Sequence, residues 1–360
     1  MSQPAAAGEA RTCVQTRHLS LLIVGNFLSS AGGRRGVCED LAARLRSAGW
    51  TVRTTSDQVR RVRRVASMLH SAWSWRHDYT ISQVDVYSGS AFFWAAAVTW
   101  LLRRLGKPFL LSLHGGRLPE FSRRWPRLVR SVLASARAVT APSGYLVREM
   151  KPYRPDVLLL PNPLDVAIYP FSVRSRPRPK LLWLRAFHET YNPSLAPAVL
   201  ALLASDFPDV SLTMIGPDKG DGSLQKTVAE AARLGVSDRL RIIEGVPKER
   251  VGDALSDADI FLNTTNVDNT PVSVMEAMAC GLCVVSTNVG GIPDLVDDGR
   301  DGILVPPADP AAMTNAVRRV LANTALAARL SGNARRKAEL CDWSVLLPKW
   351  ERLLREAADG

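Results

Sequence analysis

No run of apolar residues in this 360-residue sequence is long enough to cross a bilayer. The longest, Ala91 to Leu102, is about half of what a membrane-spanning helix requires. The opening stretch MSQPAAAGEART has no apolar centre and does not read as a secretory signal. Cysteine is scarce: Cys13, Cys38, Cys280, Cys283 and Cys341 cannot supply a disulfide framework for a chain of this length. The two in CGLC lack the second pair that zinc needs and lie between a helical pattern and the apolar run LCVVS. Buried structural thiols are therefore expected there rather than redox chemistry. His18, His70, His77 and His188 form no ligand-spaced set, and no acidic cluster suggests an enclosed metal, so neither metal nor other cofactor is expected. From these absences a cytoplasmic protein is expected, and the length suits two domains.

What is present first is positive charge, unevenly placed. The net charge is +12. Residues 1–175 hold 25 Lys and Arg against 10 Asp and Glu, whereas residues 176–360 hold 21 against 24. Arginines come in short runs (Arg60, Arg61, Arg63 and Arg64; Arg103 and Arg104; Arg123, Arg124, Arg127 and Arg130) near Trp73, Trp75, Trp100 and Trp125. Indole tolerates the headgroup region and guanidinium binds phosphate, so peripheral contact with the inner face of an anionic membrane is one reading. A soluble basic face is the other. Nucleic acid is not expected, because no binding module for it is recognisable.

Both halves repeat a rhythm of short apolar run, turn and amphipathic helix. Strands are expected at residues 19–27, Val84–Tyr87, Phe109–Leu113, Ala138–Ala141 and Val157–Leu160. The second half adds Lys180–Leu184, Val210–Ile215, Leu240–Ile243, Ile260–Asn263, Cys283–Ser286 and Ile303–Val305. Helical patterns fall near residues 37–45, 59–71, 91–105 and 123–135. Strand alternating with helix means parallel sheet, since parallel neighbours need a crossover. The expected fold is α/β, with two Rossmann-like doubly wound domains facing a central cleft. Their limits are residues 1–173 and 180–341, joined by the Pro-rich basic linker RSRPRP (174–179). Residues 342–360 form an amphipathic helix that can pack back on the first domain.

The richest segment is NTTNVDNTPVSVMEAMACGLCVVSTNVGGIPDLV (residues 263–296). Thr270 suits a helix N-cap, Pro271 the first helical position and Gly281 the helix end. Asn269, Thr270, Pro271 and Val272 thus surround free N–H groups and the positive end of a helix dipole, where an anion or sugar hydroxyls can bind. Glu276 lies about 7.5 Å further along the axis, a station for ribose hydroxyls. Asp268, on the loop side, is the station for a transferred sugar.

This segment resembles the donor-binding signature of the retaining family 4 glycosyltransferases, which have the GT-B fold. In that signature two glutamates precede an AMACG-like helix end and a VVxTxVGG run. Here Asp268 stands in the first acidic position and Glu276 in the second. The resemblance runs through the whole chain. Gly32 and Gly33 resemble the loop that closes over the donor diphosphate, and LHGG (113–116) matches the strand-end His-Gly-Gly, by which His114 would reach the sugar. PNPLD (161–165) and IGPDKG (215–220) match further turns. The family often carries an arginine followed shortly by a lysine on the diphosphate. Arg185 is present, but Thr190 or Tyr191 occupies the lysine's place, and Lys219 is the expected substitute.

The resemblance implies a retaining transferase moving sugar from a nucleotide diphosphate, UDP favoured, to a glycan, lipid-linked or small-molecule acceptor. His114, Asp268 and Arg185 would be catalytic, and Glu276, Lys219 and the helix start would bind the donor. Two rivals remain: another sugar-nucleotide enzyme such as an epimerase or hydrolase, and a GT-B-like binding subunit without chemistry.

Overall fold

The structure, a computed structural model, describes residues 19–29, 36–247 and 250–359. The first half contains β1 (Ser20–Val24), α1 (Val37–Ser47), β2 (Thr51–Thr55), α2 (Arg61–Ser74), β3 (Ile81–Val86) and α3 (Ser90–Arg104). It continues with β4 (Phe109–Leu113), α4 (Leu118–Arg124), α5 (Pro126–Ala134), β5 (Ala138–Ala141), α6 (Gly144–Met150) and β6 (Leu158–Leu159). These strands form one parallel sheet in the order β2-β1-β3-β4-β5-β6.

The second half begins with β7 (Lys180–Leu184), α7 (Leu195–Ala204), β8 (Ser211–Ile215), α8 (Ser223–Arg233), β9 (Leu240–Ile243), α9 (Val251–Ser256) and β10 (Ile260–Asn263). Then come α10 (Val272–Ala279), β11 (Cys283–Thr287), α11 (Ile292–Leu295), β12 (Ile303–Val305), α12 (Pro310–Ala322), α13 (Thr324–Glu339) and α14 (Trp343–Asp359). Its parallel sheet has the order β12-β11-β10-β7-β8-β9. Strand order therefore reverses twice, between β1 and β3 and between β7 and β10. At such switch points neighbouring loops leave in opposite directions and open a crevice at the carboxyl ends of the strands.

Most central strands are apolar runs because both faces of each sheet are covered; β3 (ISQVDV) is the exception. One face of the first sheet packs under α2, α3 and α5 around Phe92, Val98, Leu111 and Val129. The outer face of the second packs under α7 and α12 around Trp183, Leu200 and Val317. A third apolar cluster runs from α1 through residues 160–169 to α10. Into that cluster α14 sends Leu346, Trp350 and Leu354, although it follows the second domain in the chain. Glu351 fixes its register by accepting from Trp50 Nε1 at 2.8 Å.

Three local readings differ from the sequence. Residues 123–135 form two helices rather than one: Trp125 takes an extended turn (φ −127°, ψ 53°) before Pro126, whose ring disfavours a helical residue ahead of it. Strand β2 was not expected, since TVRTT offers no apolar run; it pairs only with β1 at the sheet edge. The helix start in the rich segment shifts by one residue. Pro271 is the extended N-cap of α10, and Thr270 does not cap; its hydroxyl donates to the Pro142 carbonyl at 3.3 Å. Gly281 does end that helix, with φ +75°. Residues 174–179 lie within the connection from β6 to β7 and are tied down, Arg174 buried and Arg178 paired with Asp259 at 2.8 Å.

Candidate functional site

The switch point of the second sheet brings Arg185, just after β7, beside the loop that follows β10. Arg185 Nη2 pairs with the Asp268 carboxylate, and its guanidinium lies 4.4 Å over the Tyr191 ring. Asp268 also accepts from the Asn269 backbone N–H at 2.8 Å. The two residues expected to serve different parts of a donor thus neutralise each other. Their loop is backed by Gly290 and Gly291. A β-carbon at Gly290 would lie 2.0 Å from the Asp268 carbonyl oxygen, and one at Gly291 would lie 2.3 Å from that of Asn269. Only glycine permits this approach, which gives the VGG run its physical meaning.

Glu276 faces inward from α10, is 7% exposed, and accepts from the Tyr169 hydroxyl at 2.9 Å. Burial and the adjacent Glu276 charge push the Tyr169 hydroxyl up, so it stays a donor. Lys219 is exposed, and its backbone N–H donates to Phe187 at 3.2 Å, which lays its turn beside the Arg185 loop. Cys280 and Cys283 are free and buried, with thiols pushed up to about 12 chiefly by burial, which suits a structural role. Gly32 and Gly33 lie outside the described residues. No three His, Cys, Asp or Glu side chains are grouped to hold a metal ion among the described residues.

The first domain supplies the opposite wall. His114 directly follows β4, its backbone N–H on Val86 at 2.8 Å. Its ring stacks on Tyr87 (centroids 4.9 Å apart), and Nε2 lies 3.1 Å from Asp85 Oδ1. The next turn meets the second domain: a β-carbon at Gly116 would lie 3.0 Å from the Asp268 backbone. Ser143 donates to Asn269 Oδ1, Asn162 Nδ2 donates to the Thr270 carbonyl at 3.3 Å, and Arg117 Nη2 donates to Thr190 Oγ1 at 3.1 Å. Further out, Arg148 forks onto Asp294 at 3.1 and 3.3 Å. The turn after His114 therefore meets the Asp268 loop, and Ser143 and Asn162 meet the residues just ahead of α10.

Sequence reading missed Asp85, Tyr169, Arg117 and Ser143, and it marked Asn162 only as part of PNPLD. Asp85 alone left a signal, a charge inside the apolar end of a strand (VDVY), where burial demands a partner. The others act through contacts between segments far apart in the chain.

The family model described as Glycosyltransferase Family 4 matches residues 31–168, and the one described as Glycosyl transferases group 1 matches residues 169–337. The chain belongs to glycosyltransferase family 4. Like its fold-mates, this family 4 chain has the GT-B architecture. The sucrose-phosphate synthase of Thermosynechococcus elongatus superimposes with a TM-score of 0.80 at 18% identity, over 94% of this chain and 98% of the other. Anabaena HepE in complex with UDP-glucose superimposes with a TM-score of 0.77 at 17% identity, over 94% and 100%. In sequence, the chain is 28% identical over 280 residues to the D-inositol 3-phosphate glycosyltransferase of Streptomyces avermitilis. That match spans 70% of the family 4 chain and 60% of the relative's own length.

Proposed function

We propose that this protein is a retaining glycosyltransferase that moves the sugar of a UDP-sugar onto a hydroxyl of an anionic acceptor. The meeting of the Asp268 loop with the turn after His114, above a buried Glu276, is the observation that carries the reading. It supports reading Glu276 as the ribose acceptor, the start of α10 as the anion site, and Asp268 and His114 as the sugar-facing side chains. Glu276 holds the ribose and Arg185 the diphosphate. Donor binding exchanges partners: the diphosphate takes Arg185, and Asp268 is released toward the sugar hydroxyls. Lys219 adds charge from the adjacent turn. Attack comes from the leaving-group face, and the closed loops exclude water from the reacting carbon.

A UDP donor is supported by the UDP-glucose complex of a neighbour with the same fold, and an anionic acceptor by the basic first domain and by the inositol phosphate in a relative's name. Trp73, Phe93, Trp100 and Trp125 are exposed on the helix layer over one face of the first sheet. Arg76 stacks on Trp73 and Arg104 on Trp100. This layer supports peripheral contact with an anionic membrane; among the described residues no helix is long and apolar enough to cross one. Retention on anionic vesicles at low salt, lost at high salt, is the expected result, and no retention at low salt removes the membrane reading.

Titration of UDP, GDP and ADP into the protein, followed calorimetrically, tests the donor. Binding of UDP above the others is expected. No binding of any nucleotide by folded protein would move the assignment to a non-catalytic GT-B subunit. Acceptor-free turnover of the sugar nucleotide would favour an epimerase or hydrolase. Transfer is expected to persist in chelator, because Arg185 and the α10 terminus meet the leaving charge; loss restored by a divalent ion would overturn that.

A further inference from the structure

Asp85 is a buried carboxylate that the transfer scheme leaves without a task. It is 2% exposed, at the end of β3, directly beside the first sheet's switch point. Its space exists because residue 25, at the end of β1, is glycine: a β-carbon there would lie 2.7 Å from Asp85 Oδ2. Gln83 Nε2 donates to Asp85 Oδ1 at 2.8 Å and to Ser112 Oγ at 2.9 Å, which ties the carboxylate to the neighbouring strand β4. Around it the Cys38 thiol and the Tyr87 hydroxyl are both pushed up, by burial first and by Asp85 second, and remain neutral. His114 Nε2 lies 3.1 Å from Asp85 Oδ1, and the Tyr87 hydroxyl lies 3.5 Å from Oδ2.

A buried carboxylate needs donors, and an ionised one is only an acceptor. A proton on the His114 nitrogen that faces it, Nε2 at 3.1 Å, would complete a hydrogen bond to Oδ1. In the neutral ring that leaves the lone pair on Nδ1. Tyr87, stacked at 22° on the imidazole, prevents the ring from turning to exchange its nitrogens. We propose that Asp85 is a positioning residue that fixes His114 as the Nε2–H tautomer, so that Nδ1 accepts a hydrogen bond from a hydroxyl of the bound sugar. The sugar contact rests on the function proposed above; the tautomer does not.

Histidine-edited ¹⁵N NMR of the full chain without ligand reads the tautomer directly. The expected spectrum shows His114 protonated on Nε2, and protonation on Nδ1 overturns the proposal even if every Asp85 variant fails to fold. Asp85→Asn keeps the shape of the side chain and is expected to abolish that preference; an unchanged spectrum would also overturn it. The sugar contact is read by the ratio of UDP-glucose to UDP affinity. His114→Ala is expected to lower this ratio about tenfold, the worth of one hydrogen bond. Asp85→Asn should lower it similarly, the double variant no further, and the UDP affinity itself should not change. Multiplying losses in the double variant would give Asp85 a separate role. A ratio unmoved by His114→Ala, with the tautomer as expected, refutes the sugar contact and leaves the positioning intact.

Discussion

The two domains are built alike, yet they place their candidate site residues differently. In the second domain Asp268, the α10 start, Glu276 and Gly290 to Gly291 lie within residues 263–296, one strand-loop-helix-strand unit. In the first domain the wall takes Asp85 from β3, His114 from the end of β4, Ser143 from the start of α6 and Asn162 from beyond β6. A ligand held by one connection is written contiguously, whereas one held by several strand ends is dispersed through the chain. The charges differ as well, with the basic excess in the first domain and a slight acidic excess in the second.

The comparison can be broken or sharpened by measurement. The largest effect expected is on folding. Leu346 is fully buried on α14, and Leu346→Ala should cost about 2–5 kcal/mol in urea unfolding. A loss under about 1 kcal/mol would show that α14 is not part of the core shared with β1 and α1. Next comes the donor site. Glu276→Ala should weaken UDP about 100-fold through lost charged hydrogen bonds. His114→Ala should leave UDP affinity alone, and an equal loss from the two variants would erase the division of labour between domains.

A smaller effect separates the two cations near the diphosphate. Arg185→Ala should reduce the preference for UDP over uridine about tenfold, in keeping with a charge-assisted contact. The exposed Lys219, replaced by alanine, should reduce it about threefold. An unchanged ratio for Lys219→Ala rejects its substitution for the missing lysine. The smallest effect belongs to Arg148→Ala. The Arg148–Asp294 pair is largely solvent-exposed on the arginine side, so stability should change by less than about 1 kcal/mol. A larger loss would mean that this contact, and not the loops around Asp268, holds the cleft closed.

Much of the architecture was legible because parallel strands buried on both faces must be short apolar runs. Phe109–Leu113, Lys180–Leu184 and Ile260–Asn263 fall where those runs lie. Edge strand β2 escaped because one-sided pairing does not demand such a run. The split at Trp125 escaped because amphipathic spacing continues across Pro126 while the backbone cannot. Arg185 was singled out as a charge at a strand end, Asp268 as one on a loop and Glu276 as one within a helix. The Arg185–Asp268 pairing was not, because a side chain's partner is chosen by what surrounds it.

By itself the sequence determined two doubly wound domains and their order, and it marked the acidic and glycine residues of 263–296. Those features follow from local periodicity, strand burial and the conformational needs of single residues. Only the tertiary structure decided that Asp85 faces His114, that Tyr169 donates to Glu276 and that α14 seals a core begun more than 300 residues earlier. Each of these joins groups distant in the chain, and such contacts depend on how the sheets and helices pack, which no short stretch of sequence encodes.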